Sequence, residues 1–122
     1  MIRIKPGVEL DSVHGKMFFA IAMADRVWMQ LGSEECWITA ANEPGHETNP
    51  DPRRRFHLLP DGTCQAVDFR IHQFTPFNKT EGRRILASIL GRDYDVLLEA
   101  PGEANEHIHV QYDPKQPGTI IA

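Results

Sequence analysis

The sequence predicts an α+β fold, a small and mostly antiparallel sheet with helices packed on one face. Apolar residues recur at three- and four-residue steps over 13–31, and again after Thr80, as on the buried face of an amphipathic helix. Apolar and polar residues alternate over 66–71 and 107–112, as in strands with one buried face. Strands and helices in this mixed order are typical of α+β domains.

Composition limits the classes of function. The 122 residues fit one domain, and 41% hydrophobic with 25% charged residues is ordinary globular usage. The formal net charge of −4 argues against a nucleic-acid partner. No apolar run approaches the roughly 20 residues of a membrane span, and the N-terminus lacks the apolar core of a signal peptide. We therefore expect cytoplasmic synthesis, no membrane partner, and reduced thiols at Cys36 and Cys64.

The first part of the chain predicts a strand, a helix and a strand. Isoleucines and basic residues alternate over 2–5, which indicates a short edge strand. Asp11 or Ser12 is the predicted cap of the helix over 13–31. The segment 36–40 is rich in residues that favour strands. The predicted buried face of the helix consists of Met17, Ile21, Ala24 and Trp28.

An irregular segment follows over 43–60. It contains four prolines and little periodicity, and a loop of this length in a compact domain is usually functional or disordered. After it, the strand over 66–71 places Val67, Phe69 and Ile71 toward the core. Asp68 and Arg70 then lie on the open face of that strand.

The last part predicts a helix and a hairpin. Thr80 caps the helix and Gly91 ends it. Its predicted buried residues are Ile85, Leu86, Ile89 and Leu90. The strands 94–99 and 107–112 are joined through Pro101-Gly102, so we expect them to pair in the antiparallel sense.

The last strand carries two imidazoles on one face. With a period of two, His107, His109 and Gln111 project to one side, and the apolar residues between them project to the other. Two imidazoles side by side can direct metal ligands or proton-transfer groups at a common point.

Three groups able to bind zinc lie on or beside predicted strands: His57, Asp68 and His109. A catalytic zinc requires three protein ligands and an open position for water, and two imidazoles with one carboxylate form an accepted set. The residue types of such a site are therefore present in the sequence.

Two motifs resemble those of the zinc D-alanyl-D-alanine peptidases. The segment 57–68 resembles the family's His-x-x-Gly-x-Ala-x-Asp signature, although its spacing is longer. The pair Glu106-x-x-His109 resembles the second signature, in which an acidic residue three positions before the last ligand is the catalytic base. The residues that match the first signature are His57, Gly62, Ala66 and Asp68.

This resemblance implies a hedgehog/DD-peptidase-like fold over residues 1–122 and a zinc peptidase that hydrolyses peptidoglycan peptides. The enzyme would be of the D-Ala-D-Ala carboxypeptidase or the phage endolysin type, and would act on the cell wall once released. Zn²⁺ would be held by His57, Asp68 and His109, and Glu106 would take a proton from the attacking water. A cation would bind the terminal carboxylate of the substrate, for which the candidates are Arg70 and Arg53.

Several assignments stay open. His46 or His72 could replace His57 as the first ligand. His107 could be the catalytic proton-transfer group, with Glu106 orienting it. Two further glutamates, Glu99 and Glu103, are weaker candidates for the base.

Two other functions compete with the peptidase. A catalytically inactive phage structural relative would keep the fold without the metal. The segment 107–109 also fits the His-hydrophobic-His motif of single-strand transposases and rolling-circle initiators. Those nucleases need a tyrosine on a helix, and neither Tyr94 nor Tyr112 lies in a predicted helix.

Overall fold

The computed structural model describes residues 1–42, 56–57 and 59–114. Within this part of the chain there are five strands and two helices, which confirms the α+β class. Neither described helix combines the length and the apolarity needed to cross a membrane. In chain order the elements are β1 (Ile2–Ile4), α1 (Gly15–Gln30), β2 (Cys36–Ala40), β3 (Ala66–Arg70), α2 (Pro76–Leu90), β4 (Tyr94–Glu99) and β5 (His107–Tyr112).

The strands form one sheet in the order β1-β2-β3-β5-β4. Strand β1 pairs with β2 in the parallel sense, and the remaining neighbours are antiparallel. The sheet is therefore mixed, and the prediction of a mostly antiparallel sheet is wrong. The reason lies in the connection: α1 joins β1 to β2, and two adjacent strands joined by a crossover helix run parallel.

The two helices contact each other and pack on one face of the sheet. They approach closely at Gly82 of α2, where an added Cβ would lie 3.3 Å from Leu31 Cδ1. The four residues predicted for the buried face of the first helix are all buried in the core, which confirms that prediction. They are Met17, Ile21, Ala24 and Trp28.

Helix α1 begins later than predicted. Its N-cap is His14, whose Nδ1 accepts a hydrogen bond from Lys16 N at 3.0 Å. The prediction of Asp11 or Ser12 as the cap is wrong because the segment before the helix forms a short bridge with Cys64. Cys64 N donates to Ser12 O and His14 N donates to Cys64 O, both at 2.8 Å. This pairing keeps the segment extended.

Helix α2 begins earlier than predicted. Thr75 is its N-cap, with its hydroxyl accepting from Asn78 N, and Pro76 is the first helical residue. The prediction of Thr80 as the cap is wrong, since a proline at the first helical position extends the helix toward the N-terminus. Leu86 and Leu90 are buried as predicted, whereas Ile89 is 45% exposed.

The sheet face opposite the helices is also buried where β3, β4 and β5 meet. Asp68 lies on this face, as the alternation predicted, but its side chain is not open to solvent: the residue is only 7% exposed. His107, His109 and Gln111 lie on the same face and are also buried. The protein therefore has a second buried layer, made of polar side chains.

Candidate metal centre

The pairing of β3 with β5 brings two of the predicted ligands together. Asp68 and His109 are directly opposite each other in the register, and cross-strand neighbours project to the same face. Asp68 Oδ1 lies 2.8 Å from His109 Nδ1. Two ligands predicted from separate motifs are thus in hydrogen-bond contact.

His57 completes the group from outside the sheet. Its Nδ1 lies 2.7 Å from Ala41 O, and because a carbonyl only accepts hydrogen bonds, Nδ1 carries the proton. Nε2 then faces Asp68 Oδ1, 3.3 Å away. His57 is 1% exposed and its ring stands edge-on to that of His109. The three predicted ligands therefore meet at one point.

His109 is held from both sides of its ring. Its Nε2 lies 2.8 Å from Gln111 Oε1, while Nδ1 faces Asp68. Burial lowers the pKa of His109, but the hydrogen bond and the charge of Asp68 outweigh burial and hold this pKa above its usual value. Without a metal, His109 is therefore stabilised with a proton on each nitrogen.

A second group of side chains shares Asp68 with the first. Strand β4 pairs with β5 so that Glu99 stands opposite His107, and His107 Nε2 lies 3.0 Å from Glu99 Oε1. The same Nε2 lies 3.6 Å from Asp68 Oδ2. His107 Nδ1 donates to Asn105 O at 2.8 Å. His107 is thus directed at both carboxylates, and Glu99, a weaker candidate in the sequence, is its partner.

Both carboxylates are kept ionised. Burial raises the pKa of Asp68, but hydrogen bonds from His109 and His57 outweigh burial and hold this pKa well below its usual range. Burial likewise raises the pKa of Glu99, and the hydrogen bond from His107 with the charge of His109 brings the net shift below the usual value. Two ionised carboxylates are therefore buried together with three imidazoles.

Glu106 lies elsewhere. It stands one residue before β5, and alternation directs its side chain toward the helix face of the sheet, opposite to His109. There it forms an ion pair with Lys79 of α2 and accepts from Gly102 N at 2.9 Å. The hydrogen bond from Lys79, followed by that from Gly102, lowers the pKa of Glu106. The structure does not bring this predicted base to the Asp68 cluster.

Arg70 lies beside the cluster. Its position in β3 pairs with His107, and its guanidinium carbon is 4.9 Å from the centre of the Trp37 ring. Both residues line a cleft of about 710 Å³, together with His72 and the start of α2. Arg53, the other predicted substrate-binding cation, and His46 lie outside the described residues.

The remaining candidates are not members of the cluster. His72 is exposed in the cleft, and Glu103 lies in the turn between β4 and β5, where its N donates to Ala100 O. Tyr94 and Tyr112 are on strands with their rings packed together, so the helical tyrosine of the nuclease motif is not found at either position.

Sequence reasoning missed two polar residues. Gln111 Nε2 donates to Asp95 Oδ2 at 3.0 Å, so Gln111 links His109 to a carboxylate on β4. The signal for Gln111 was present, since it lies on the same strand face as His109. The part played by Asp95 depends on the register of β4 against β5, which the sequence does not specify.

The buried His, Asp and Glu side chains could hold a metal ion. The ligand atoms of His57, Asp68 and His109 lie within 4.8 Å of one another. Tetrahedral zinc places its ligand atoms about 3.3 Å apart, as His57 Nε2 and Asp68 Oδ1 are, whereas Asp68 Oδ1 and His109 Nδ1 lie at a hydrogen-bond distance of 2.8 Å. Each histidine also donates its other N–H to an oxygen, the usual support of a metal-bound imidazole. The residues present could therefore hold a metal ion.

Comparison of the chain with protein-family models, with curated proteins and with solved structures finds no match.

Proposed function

We propose that the protein is a zinc-dependent peptidase of the hedgehog/DD-peptidase type that hydrolyses peptide bonds of peptidoglycan. One observation carries the proposal: His57, Asp68 and His109, which match the two peptidase signatures, meet in one buried cluster with their ligand atoms turned inward. A metal centre explains why they are buried.

His57 Nε2, His109 Nδ1 and an oxygen of Asp68 would hold the zinc ion. The chemistry that zinc supplies in such a site is activation of a water molecule and polarisation of the scissile carbonyl. The protein contributes fixed ligand directions: Ala41 O orients His57, and Gln111 Oε1 orients His109.

His107 and Glu99 form the proposed proton-transfer pair. They share a proton between Nε2 and Oε1, 3.0 Å apart, and the 3.6 Å separation of Nε2 from Asp68 Oδ2 places the pair beside the proposed zinc site. His107 would hold the ionised Glu99 carboxylate in place, and that carboxylate would accept a proton from the attacking water and return it to the leaving amine. Glu106 is less suited to this role because Lys79 holds its carboxylate on the other face of the sheet.

Arg70 is the proposed binding group for a carboxylate of the substrate. Its guanidinium forms no salt bridge within the described part of the chain. Arg70 lines the cleft beside Trp37, and its position in β3 pairs with that of His107. The guanidinium lies over the Trp37 ring, a cation–π contact, and its N–H groups can bind a carboxylate in a bidentate manner. If Arg70 binds the terminal carboxylate of the peptide substrate, the enzyme is of the carboxypeptidase type. If Arg70 binds a carboxylate within the peptide, the enzyme is of the endolysin type.

The test is to measure zinc content and peptide hydrolysis on the same preparation. We expect one zinc ion per chain, and cleavage of either a peptide ending in D-Ala-D-Ala or a cross-linked peptidoglycan fragment. Removal of zinc by a chelator should stop cleavage, and added zinc should restore it. Protein that contains stoichiometric zinc but cleaves neither substrate would refute the peptidase proposal.

A further inference from the structure

A line of hydrogen bonds connects the edge strand β4 to the candidate metal ligand His109. Asp95 and Gln111 are paired across β4 and β5, and Gln111 Nε2 donates to Asp95 Oδ2 at 3.0 Å. Two positions along β5, His109 Nε2 lies 2.8 Å from Gln111 Oε1. Gln111 is 4% exposed, so water does not compete freely for its amide.

The order of donors and acceptors along this line of hydrogen bonds is fixed. An amide side chain can present either its oxygen or its NH₂ group to a neighbour. The Asp95 carboxylate only accepts, so the NH₂ group of Gln111 must face Asp95 and its oxygen must face His109. The oxygen then accepts a proton from His109 Nε2. That leaves Nδ1, the ring atom next to Asp68, as the atom available to a metal.

We propose that Asp95 and Gln111 are positioning residues that select the tautomer of His109 and thereby strengthen metal binding. The inference depends on the metal site of the proposed function but not on peptide hydrolysis. Without the carboxylate of Asp95, the Gln111 amide could rotate and direct its NH₂ group at His109, which would favour the tautomer with the proton on Nδ1. Asp95 thus acts on the ligand through an intervening side chain.

The first experiment removes the acceptor. In Gln111→Leu we expect zinc affinity, measured by competition with a chelator, to fall by about 10–100-fold, the usual effect of removing a partner of a metal-bound histidine. In the metal-free protein, at a pH above the raised pKa of His109 where its ring is neutral, ¹⁵N shifts of the ring should show a larger share of the Nδ1-protonated tautomer. A purely structural role of Gln111 would lower stability without changing this spectroscopic signature.

The second experiment exchanges the two partners. Asp95→Asn alone should weaken zinc binding less than Gln111→Leu. Combining Asp95→Asn with Gln111→Glu restores the order of donor and acceptor, because the new amide donates and the new carboxylate accepts from His109 Nε2. We expect this double variant to bind zinc at least as tightly as the wild type. It preserves side-chain volume, so it also tests the inference if Gln111→Leu fails to fold.

The control is Asp93→Asn, the same chemical change at an aspartate just before β4, whose backbone oxygen accepts from Asp113 N. It should leave zinc affinity unchanged. Unchanged affinity and tautomer in Gln111→Leu, or a double variant no better than Asp95→Asn alone, would overturn the inference. Wild-type protein that binds zinc but cleaves no peptide would refute only the proposed function, and protein that binds no zinc would refute both.

Discussion

On one face of strand β5, Ile108 and Val110 pack in the core beneath the helices, and on the other face His107, His109 and Gln111 meet carboxylates from β3 and β4. Both faces are buried, but they differ in what burial contributes. Apolar burial stabilises the fold by about 25 cal/mol per Å². Burial of imidazoles and carboxylates costs free energy unless every group finds a partner.

The polar face therefore indicates a role other than stability. Its groups are paired along two lines that share Asp68, one through His109 and one through His107. Hydrophobic residues of similar size would fill the same space without this cost. The comparison teaches that the helix-covered face maintains the fold, whereas the opposite face carries the side chains that could hold a metal ion. Substitutions on the two faces should separate fold stability from metal binding.

The largest effect is expected from the ligands on the polar face. His57→Ala, Asp68→Ala and His109→Ala should each empty the metal site and reduce peptide hydrolysis to the uncatalysed rate, a loss of about six orders of magnitude or more. Far-UV circular dichroism should stay close to that of the wild type, because none of the three belongs to the apolar core. Metal analysis and a peptidase assay would check this result.

The matched control is His14→Ala, which removes a histidine that caps α1 and stacks on Tyr112. It should change stability but retain zinc. Stoichiometric zinc in all three ligand variants would reject this ligand set.

A smaller loss is expected from the proton-transfer pair. His107→Ala and Glu99→Gln should each lower turnover by about two to four orders of magnitude while zinc stays bound. Glu106→Gln, on the helix face, should retain turnover near that of the wild type. The measurements are turnover and zinc content of all three variants. If Glu106→Gln is inactive and His107→Ala is not, Glu106 is the base that the resemblance implied.

The helix-covered face should respond in the opposite way. Ile108→Ala should lower the free energy of unfolding by about 2–5 kcal/mol, because it leaves a cavity in the core, without changing the zinc dissociation constant. The control Ile89→Ala removes an isoleucine that is 45% exposed and should shift stability by no more than about 0.5 kcal/mol. Urea unfolding of the metal-free protein gives both values. Equal destabilisation by the two variants would contradict the assignment of the core face.

Alternation along the strands made much of this comparison predictable. It placed His107, His109 and Gln111 on one face of β5 and Asp68 on the corresponding face of β3. The same rule places Glu106 opposite His109, since the two positions are three apart, but the motif resemblance favoured Glu106 as the base. A sequence motif specifies the spacing of its residues but not the face of the strand on which each residue lies.

The rest depended on long-range pairing. The partnership of Glu99 with His107, and that of Asp95 with Gln111, follow from the register of β4 against β5. The parallel pairing of β1, like the late start of α1 beside Cys64, also joins segments far apart in the chain. Local propensity and periodicity contain no information on such pairings, so these features could not be predicted from the sequence.

The smallest effect is expected from pH. In the metal-free protein the pKa values of His107 and His109 are raised: burial lowers both, but hydrogen bonds to Glu99 and Asp68 respectively outweigh burial. The folded state therefore binds more protons than the unfolded state above the usual histidine pKa of about 6.5. This contribution to stability is fully present below that pKa and is lost as the pH rises through the raised values.

We therefore expect the free energy of unfolding of the metal-free protein to fall between about pH 6 and about pH 8, by less than the loss in Ile108→Ala. The measurements stop at about pH 8 because Cys36 would contribute above that pH. Burial raises the pKa of its thiol to about 12, so the thiol ionises more readily in the unfolded state than in the folded state. Saturating zinc should reverse the slope, because a metal ligand must lose its proton and zinc binds more tightly as protons become scarce. His109→Ala should flatten the slope of the metal-free protein. A metal-free wild type whose stability rises over this range would show that the polar face is not held together by protonated histidines.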